Sequence, residues 1–278
     1  MKTRKMHNKS KGDFLTDFQK DNIESLAEYV ADYYCPKGAV NPEIIAEQSK
    51  ISFSYGNYGD SFDGLLEHEY GKFHIYINND RLVHPYTERA RFTFAHEIGH
   101  YYIDHHRNAL AQGLAPSHPS FTGFVSDNLV EREADFFASC LLLPKNRFKQ
   151  DCFRRKFEFK LIQELSKKYQ TSLTATALRY ATIGCSPIMV VYSVSNTIKW
   201  YWYTYDFPFW SLKHGKLRVP EDTAAGEYFS KGKEYTSSEI VFADDWFNIK
   251  FESDMSRQFF EHCVYGKQQN VLSIIWEK

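Results

Sequence analysis

The sequence predicts an α+β fold, helical through its first two thirds and β-rich in its last third. Three observations carry that prediction. Between Ile23 and about Thr182 most segments repeat apolar residues at helical spacing, one hairpin apart, and after Pro187 the period changes to two. All five tryptophans (Trp200, Trp202, Trp210, Trp246 and Trp276) lie late in the chain, which marks a compositional boundary near Gly184–Pro187. The length of 278 residues, 43 % apolar and 25 % charged, suits one large domain or two smaller ones.

Each element has a local cause. Residues 1–20 open with five Lys or Arg and no acid before Asp13, and are expected to form a disordered basic tail. They lack the apolar run of a secretory leader. Residues 21–150 form the first domain. Ile23, Leu26, Ala27, Val30 and Tyr34 share one helical face, which Pro36 and Gly38 terminate. Asn41-Pro42-Glu43 opens a second helix, with a cap, a first-turn proline and an acid. Gly56–Gly64 reads as loop. Leu65–Glu69 and Lys72–Asn78 flank Tyr70-Gly71 as a hairpin, the second arm alternating Phe73, Ile75 and Ile77. A third helix runs from Thr87 to about Ile103. The polar stretch Asp104–Ser126 is expected as a loop that shapes or gates a cleft. A fourth helix, capped near Ser126 or Asp127, continues to Leu143 and stops at Pro144.

Residues 151–185 read as a helical hairpin, with helices near 157–169 and 173–182 on either side of Gln170-Thr171-Ser172. Residues 186–278 form the β-rich, aromatic C-terminal domain, starting with strands Val190–Val194 and Ile198–Tyr203 around Ser195-Asn196. Trp200-Tyr201-Trp202-Tyr203 places aromatics on both faces of its strand. It is either core or one side of a surface that recognises a partner or a regulatory ligand.

Composition excludes several classes. A net charge of −1 argues against a chain built to coat nucleic acid. The longest apolar run, Phe136–Leu143, is far short of a membrane span and is interrupted by Ser139. Cys35, Cys140, Cys152, Cys185 and Cys263 are odd in number and form no CxxC pair, so a reduced cytoplasmic setting is expected rather than a disulfide framework.

The third helix contains His96-Glu97-Ile98-Gly99-His100, an HExxH. Residues four apart on a helix project from one face, so both imidazoles can reach one ion, and Glu97 beside them is placed to take a proton from a hydrolytic water. Gly99 costs about 1 kcal/mol in a helix interior relative to alanine, a cost best understood where something packs closely.

A catalytic zinc needs a third ligand, and two residues compete. His106 sits at the H-E-x-x-H-x-x-G-x-x-H spacing, but that pattern turns on a glycine where this chain has Ile103. A β-branched residue is disfavoured in a left-handed turn, so His106 reads as a loop histidine just past the helix. Glu131, in Glu131-Arg132-Glu133-Ala134-Asp135, is the favoured ligand. Asp135 lies one turn later, where a carboxylate can orient a ligand imidazole. Glu133 lies about 160° around the helix from Glu131 and is disfavoured.

RFTFAHEIGHYYIDH, followed by VEREADFFASCLLLP, resembles the ImmA/IrrE family of metallo-endopeptidases, as do the upstream Asp63-Gly64 and Phe73–Asn78. The resemblance covers about residues 23 to 145. It implies a zincin-like domain with one zinc per chain on His96, His100 and Glu131, and with Glu97 as general base. It also implies a narrow protein substrate, typically a helix-turn-helix transcriptional repressor cleaved after stress. The segments Leu161–Tyr169 and Ser172–Tyr180 resemble the family's helix-turn-helix-like pair. If that pair read DNA, Lys167, Lys168 and Arg179 would be its phosphate contacts; a helical hairpin that only covers the catalytic domain is favoured. A DNA-binding regulator with a structural zinc and a zinc hydrolase of a non-peptide amide are the alternatives.

Overall fold

The structure, a computed structural model, describes residues 15–82, 87–114, 120–121, 128–213 and 218–278. Its mixed α+β architecture divides into two compact units. One comprises Met1–Pro144 with Tyr169–Thr171, the other Lys145–Lys168 with Ser172–Lys278. The division falls at Pro144, so the helices expected at 151–185 belong with the β-rich region rather than forming a segment of their own.

The first unit contains α1 (Asp17–Tyr34), α2 (Pro42–Gln48), β1 (Ser52–Gly56), β2 (Gly64–Glu69), β3 (Lys72–Asn78), α3 (Asn79–Leu82), α4 (Glu88–Tyr102), α5 (Asp104–Ala111) and α6 (Leu129–Leu142). Helix α1 starts earlier than the composition suggests. Thr16 and Gln19 form a reciprocal capping box and Leu15 is buried, so residues 17–20 are helix and not part of a disordered tail. The rest of that tail, residues 1–14, lies outside the described residues.

The expected hairpin of β2 and β3 is present, in the register Gly64↔Ile77 to Glu69↔Lys72. A third strand, β1, was not foreseen. It pairs parallel to β3, giving the order β1-β3-β2. β1 follows α2 closely and half-buries nearly all its side chains, so it lacks clean alternation. Strand β3 is therefore central, and β1 and β2 are the two edges.

The stretch from Asp104 departs from expectation. Asp104–Ala111 is helical, and only the residues beyond it are irregular where described. Ile103 explains the break: at φ −75°, ψ 109° it is extended, a conformation β-branched residues favour, so α4 ends and α5 begins without a left-handed residue. Asn128, not Ser126 or Asp127, caps α6 through its side chain on Val130 N; residues 126–127 lie outside the described residues. Ile98 of α4 and Phe137, Ala138 and Leu141 of α6 are buried in a core shared with α1 and the sheet, in which Phe94 of α4 packs its ring on Phe53 and Tyr55 of β1.

The second unit contains α7 (Lys145–Cys152), α8 (Phe159–Tyr169, its last residue grouping with the first unit), α9 (Leu173–Ile183), β4 (Ile188–Val194), β5 (Thr197–Tyr203), α10 (Ala224–Lys231), β6 (Glu239–Phe242), α11 (Ala243–Trp246), β7 (Gln258–Gly266) and β8 (Asn270–Glu277). Its strands make one antiparallel sheet in the order β5-β4-β8-β7-β6. Trp200, Tyr201, Trp202 and Tyr203 are half-buried on edge strand β5; Tyr201 and Tyr203 pack on the core, and Trp200 stacks on Tyr192 of β4. Glu261 of β7 is fully buried. It accepts hydrogen bonds from Ala224 N (2.9 Å), Ala225 N (3.3 Å), Trp246 Nε1 (3.2 Å) and Ser273 Oγ (2.7 Å), fixing the start of α10 against the sheet. No described helix is long and apolar enough to cross a membrane.

Candidate metal centre

Helix α4 is buried along the very stretch that carries its polar motif. His96, Glu97 and His100 are all nearly inaccessible, an expensive placement for three ionisable groups unless they are paired or hold an ion. One helical turn sets the two imidazoles side by side, with His96 Nε2 3.1 Å from His100 Nε2. Helix α6 supplies the third group: Glu131 Oε2 lies 3.2 Å from His96 Nε2, and Oε1 lies 3.5 Å from His100 Nε2. The donor atoms of these three residues all fall within 4.8 Å of one another.

Gly99 permits this convergence. A Cβ at residue 99 would stand 3.2 Å from Phe137 Cδ1 and 3.3 Å from the Ala134 Cα and carbonyl oxygen. The missing side chain lets α6 approach α4 closely enough for Glu131 to meet the histidines, which is why the interior glycine is tolerated.

The outer nitrogens are also engaged. His96 Nδ1 lies 2.9 Å from Asp135 Oδ1, the partner expected one turn beyond Glu131. His100 Nδ1 lies 3.2 Å from His106 Nδ1. His106 is thus no loop histidine: it is buried on α5, and its Nε2 lies 2.9 Å from Glu133 Oε2. Glu133 also accepts from Gln19 Nε2 at 3.1 Å and pairs with His105 Nε2 at 2.8 Å. His105, His106 and Glu133 form a second group with ligand-type atoms close together.

The residues fit a metal cation. With its Nδ1–H donated to Asp135, His96 turns a lone pair on Nε2 toward His100 Nε2 and the Glu131 carboxylate. Acceptors converging on one point need a cation between them. Glu131 Oε1 is buried without a hydrogen-bond partner. The local field agrees. Although burial opposes its charge, hydrogen bonds to Asp135 and Glu131 lift His96 up to about 10, so without a metal a proton on Nε2 supplies the positive charge, and a metal would take that proton's place.

Glu97 does not join the ligand group. Its Oε1 is buried without a partner, and burial pushes its carboxyl up to about 7, the charge of His96 opposing the rise. It is confined by β2: a Cβ on Gly64 would fall 2.6 Å from Glu97 Oε1 and 2.6 Å from Thr93 Cγ2. Gly64 is held in turn. Asp63, fully buried, accepts from Arg81 Nε (2.6 Å) and Arg89 Nη2 (2.8 Å), and Ser120 N donates to Gly64 O at 2.9 Å. The structure thus brings His96, His100, Glu131, Glu97 and Asp135 into one site. Reading the sequence missed His106, Glu133 and Gly64, whose roles depend on contacts between distant segments.

Two of the residues expected as phosphate contacts have other surroundings. Arg179 is buried within α9, and Lys168 Nζ lies 2.6 Å from Asp151, so two of the three expected phosphate contacts are engaged in the fold.

Residues 65–180 match the family described as the IrrE N-terminal-like domain, a peptidase family, and the match spans α4 and α6 with His96, Glu97, His100, Glu131 and Asp135. No curated protein matches the chain. Among solved structures, a Mycobacterium tuberculosis transcriptional regulator superposes with a TM-score of 0.54 at 13 % identity, covering 92 % of this chain and 76 % of that one. That likeness is one of fold.

Proposed function

We propose, from the premise that residues 65–180 of this chain belong to the ImmA/IrrE metallopeptidase family, that it is a zinc-dependent endopeptidase acting on one cytoplasmic protein. The observation that carries the proposal is the convergence of His96 Nε2, His100 Nε2 and the Glu131 carboxylate, with the buried Glu97 carboxylate beside them. A two-His, one-carboxylate set leaves a coordination position open for chemistry. When bound, zinc supplies a Lewis acid that polarises the scissile carbonyl and acidifies the attacking water.

The chain's own groups do the rest. Asp135 holds the His96 ring in the tautomer that offers Nε2 inward. Glu97, held near neutral pKa by burial, accepts the proton of the attacking water and passes it to the leaving amine, so the peptide bond is replaced by a carboxylate and a free amine. Strand β3 is bonded on both sides, so an extended peptide can add only at an edge; the edge proposed for it is β2 beyond Gly64, whose own outer side Ser120 already takes.

A helix-turn-helix repressor is the proposed substrate, by family resemblance. The neighbour named a transcriptional regulator is compatible with a role in transcriptional control, and the engagement of Arg179 and Lys168 favours control through cleavage over direct DNA reading.

The test is metal content and cleavage together. Purified protein should hold about one zinc per chain. His96→Ala, His100→Ala and Glu131→Ala should lose it, and Glu97→Gln should keep it while cleavage of a co-expressed DNA-binding partner stops. Casein-like general substrates should be poor. A fully active Glu97→Gln variant, or rapid unselective proteolysis, would overturn the proposal.

A further inference from the structure

The two histidines of the site are supported differently. His96 Nδ1 meets a carboxylate directly, whereas His100 Nδ1 meets a second imidazole, His106, at 3.2 Å, behind which Glu133 lies at 2.9 Å. We propose that His106 and Glu133 are positioning residues that fix the tautomer and orientation of His100 for the metal, through a relay running His100, His106, Glu133. The proposal rests on the reading of His96, His100 and Glu131 as the metal site.

Proton placement along the relay is determined from its inner end. A metal on His100 Nε2 takes that lone pair, so the proton of the His100 ring must sit on Nδ1. That N–H faces His106 Nδ1, which must therefore present a lone pair. The proton of His106 is then on Nε2, where it faces Glu133 Oε2, an atom that can only accept. Each link has one donor and one acceptor, and no other end group than an acceptor closes the sequence. Glu133 is held in place by Gln19 Nε2 of α1 at 3.1 Å, so three helices besides α4 converge on the orientation of one ring.

The same logic decides what the His105, His106 and Glu133 group does. A metal there would take the His106 Nε2 lone pair and move that ring's proton to Nδ1. His100 would then have to accept on Nδ1 and carry its own proton on Nε2, which abolishes its use as a ligand. The two occupancies are mutually exclusive, and the buried Glu133 is satisfied by hydrogen bonds as it stands. His105, exposed on α5, is accordingly dispensable.

The test is zinc affinity by chelator competition on the full chain, with apoprotein melting curves alongside. His106→Phe keeps the ring volume and removes the acceptor, and should weaken zinc binding by about 10 to 100-fold, the usual consequence of losing such support. His106→Asn places an amide oxygen near the Nδ1 position and should bind within about threefold of wild type. His105→Ala should bind as wild type. If His106→Phe does not fold, His106→Gln takes its place, since its amide mimics the far nitrogen and leaves the Nδ1 position empty. Wild-type affinity in His106→Phe or His106→Gln overturns the relay. So does equal weakness in a folded His106→Asn, or a loss of zinc in His105→Ala. A wild-type chain that binds no zinc overturns this inference and the peptidase reading together, whereas the variant outcomes leave that reading intact.

Discussion

Residue 64 can place only a hydrogen atom beside the Glu97 carboxylate. Any larger side chain there collides with the group proposed to move the proton, while none of the three metal donors is among the atoms it would meet first. Gly64→Ala should therefore keep zinc and lower kcat at least about tenfold, as expected when a general base is displaced by an ångström or so. Zinc content and kcat measured on one preparation check this; lost zinc with unchanged turnover per bound metal would count against it. The pair at i and i+4, and the carboxylates Glu131 and Asp135 one turn apart, were legible because their relation is local, written into helical geometry. Gly64 and Glu97 are 33 positions apart, and His106 and Glu133 are 27 apart, so nothing in either neighbourhood announces the partner. His106 was misread for a further reason. The missing glycine at residue 103 excluded one kind of turn, and the chain uses another, with Ile103 extended and a fresh helix beginning at once.

Elements with strong caps or clean periods were readable: α2 with Asn41 and Pro42, α4 from Thr87, and the hairpin of β2 and β3. The hairpin of β4 and β5 around Ser195-Asn196 was readable too, whereas strand β1 was not, since a strand with nearly every side chain half-buried shows no simple alternation. Packing between elements also sets a pH response. His262 of β7 stacks on Phe159 of α8 with ring centroids 3.5 Å apart, and burial pushes its imidazole down to about 4. An unfolded histidine titrates near 6.5, so below that pH the unfolded chain gains a proton that the folded one refuses. The second unit should hold its full stability above pH 6.5 and lose it progressively as pH falls toward 4, by about 2 kcal/mol once solvent screening is allowed for. His262→Phe keeps the stacking and removes the titration. Its melting temperature should fall less than wild type's between pH 7 and pH 4.5; parallel curves would show that another group sets the slope.

At the scale of the whole molecule, each unit has its own apolar core, and all the proposed metal donors lie in the first. A chain ending at Pro144 should therefore bind zinc in the same ratio as the full protein, with target choice or control altered. A folded truncate that binds no metal would show that the site depends on the second unit. The order of strands in that second unit has a consequence in time. β8 is last in sequence yet lies inside the sheet, between β4 and β7, so the sheet cannot close until synthesis has passed residue 270. The donors of the first unit are complete by residue 131. At ribosomal speeds of about 5–20 residues per second, the interval between the two events is roughly 7 to 28 seconds. For that interval each new molecule carries all the proposed metal donors while the C-terminal sheet is still open. Any restraint exerted by the second unit thus begins only after the half that carries the proposed metal donors has emerged.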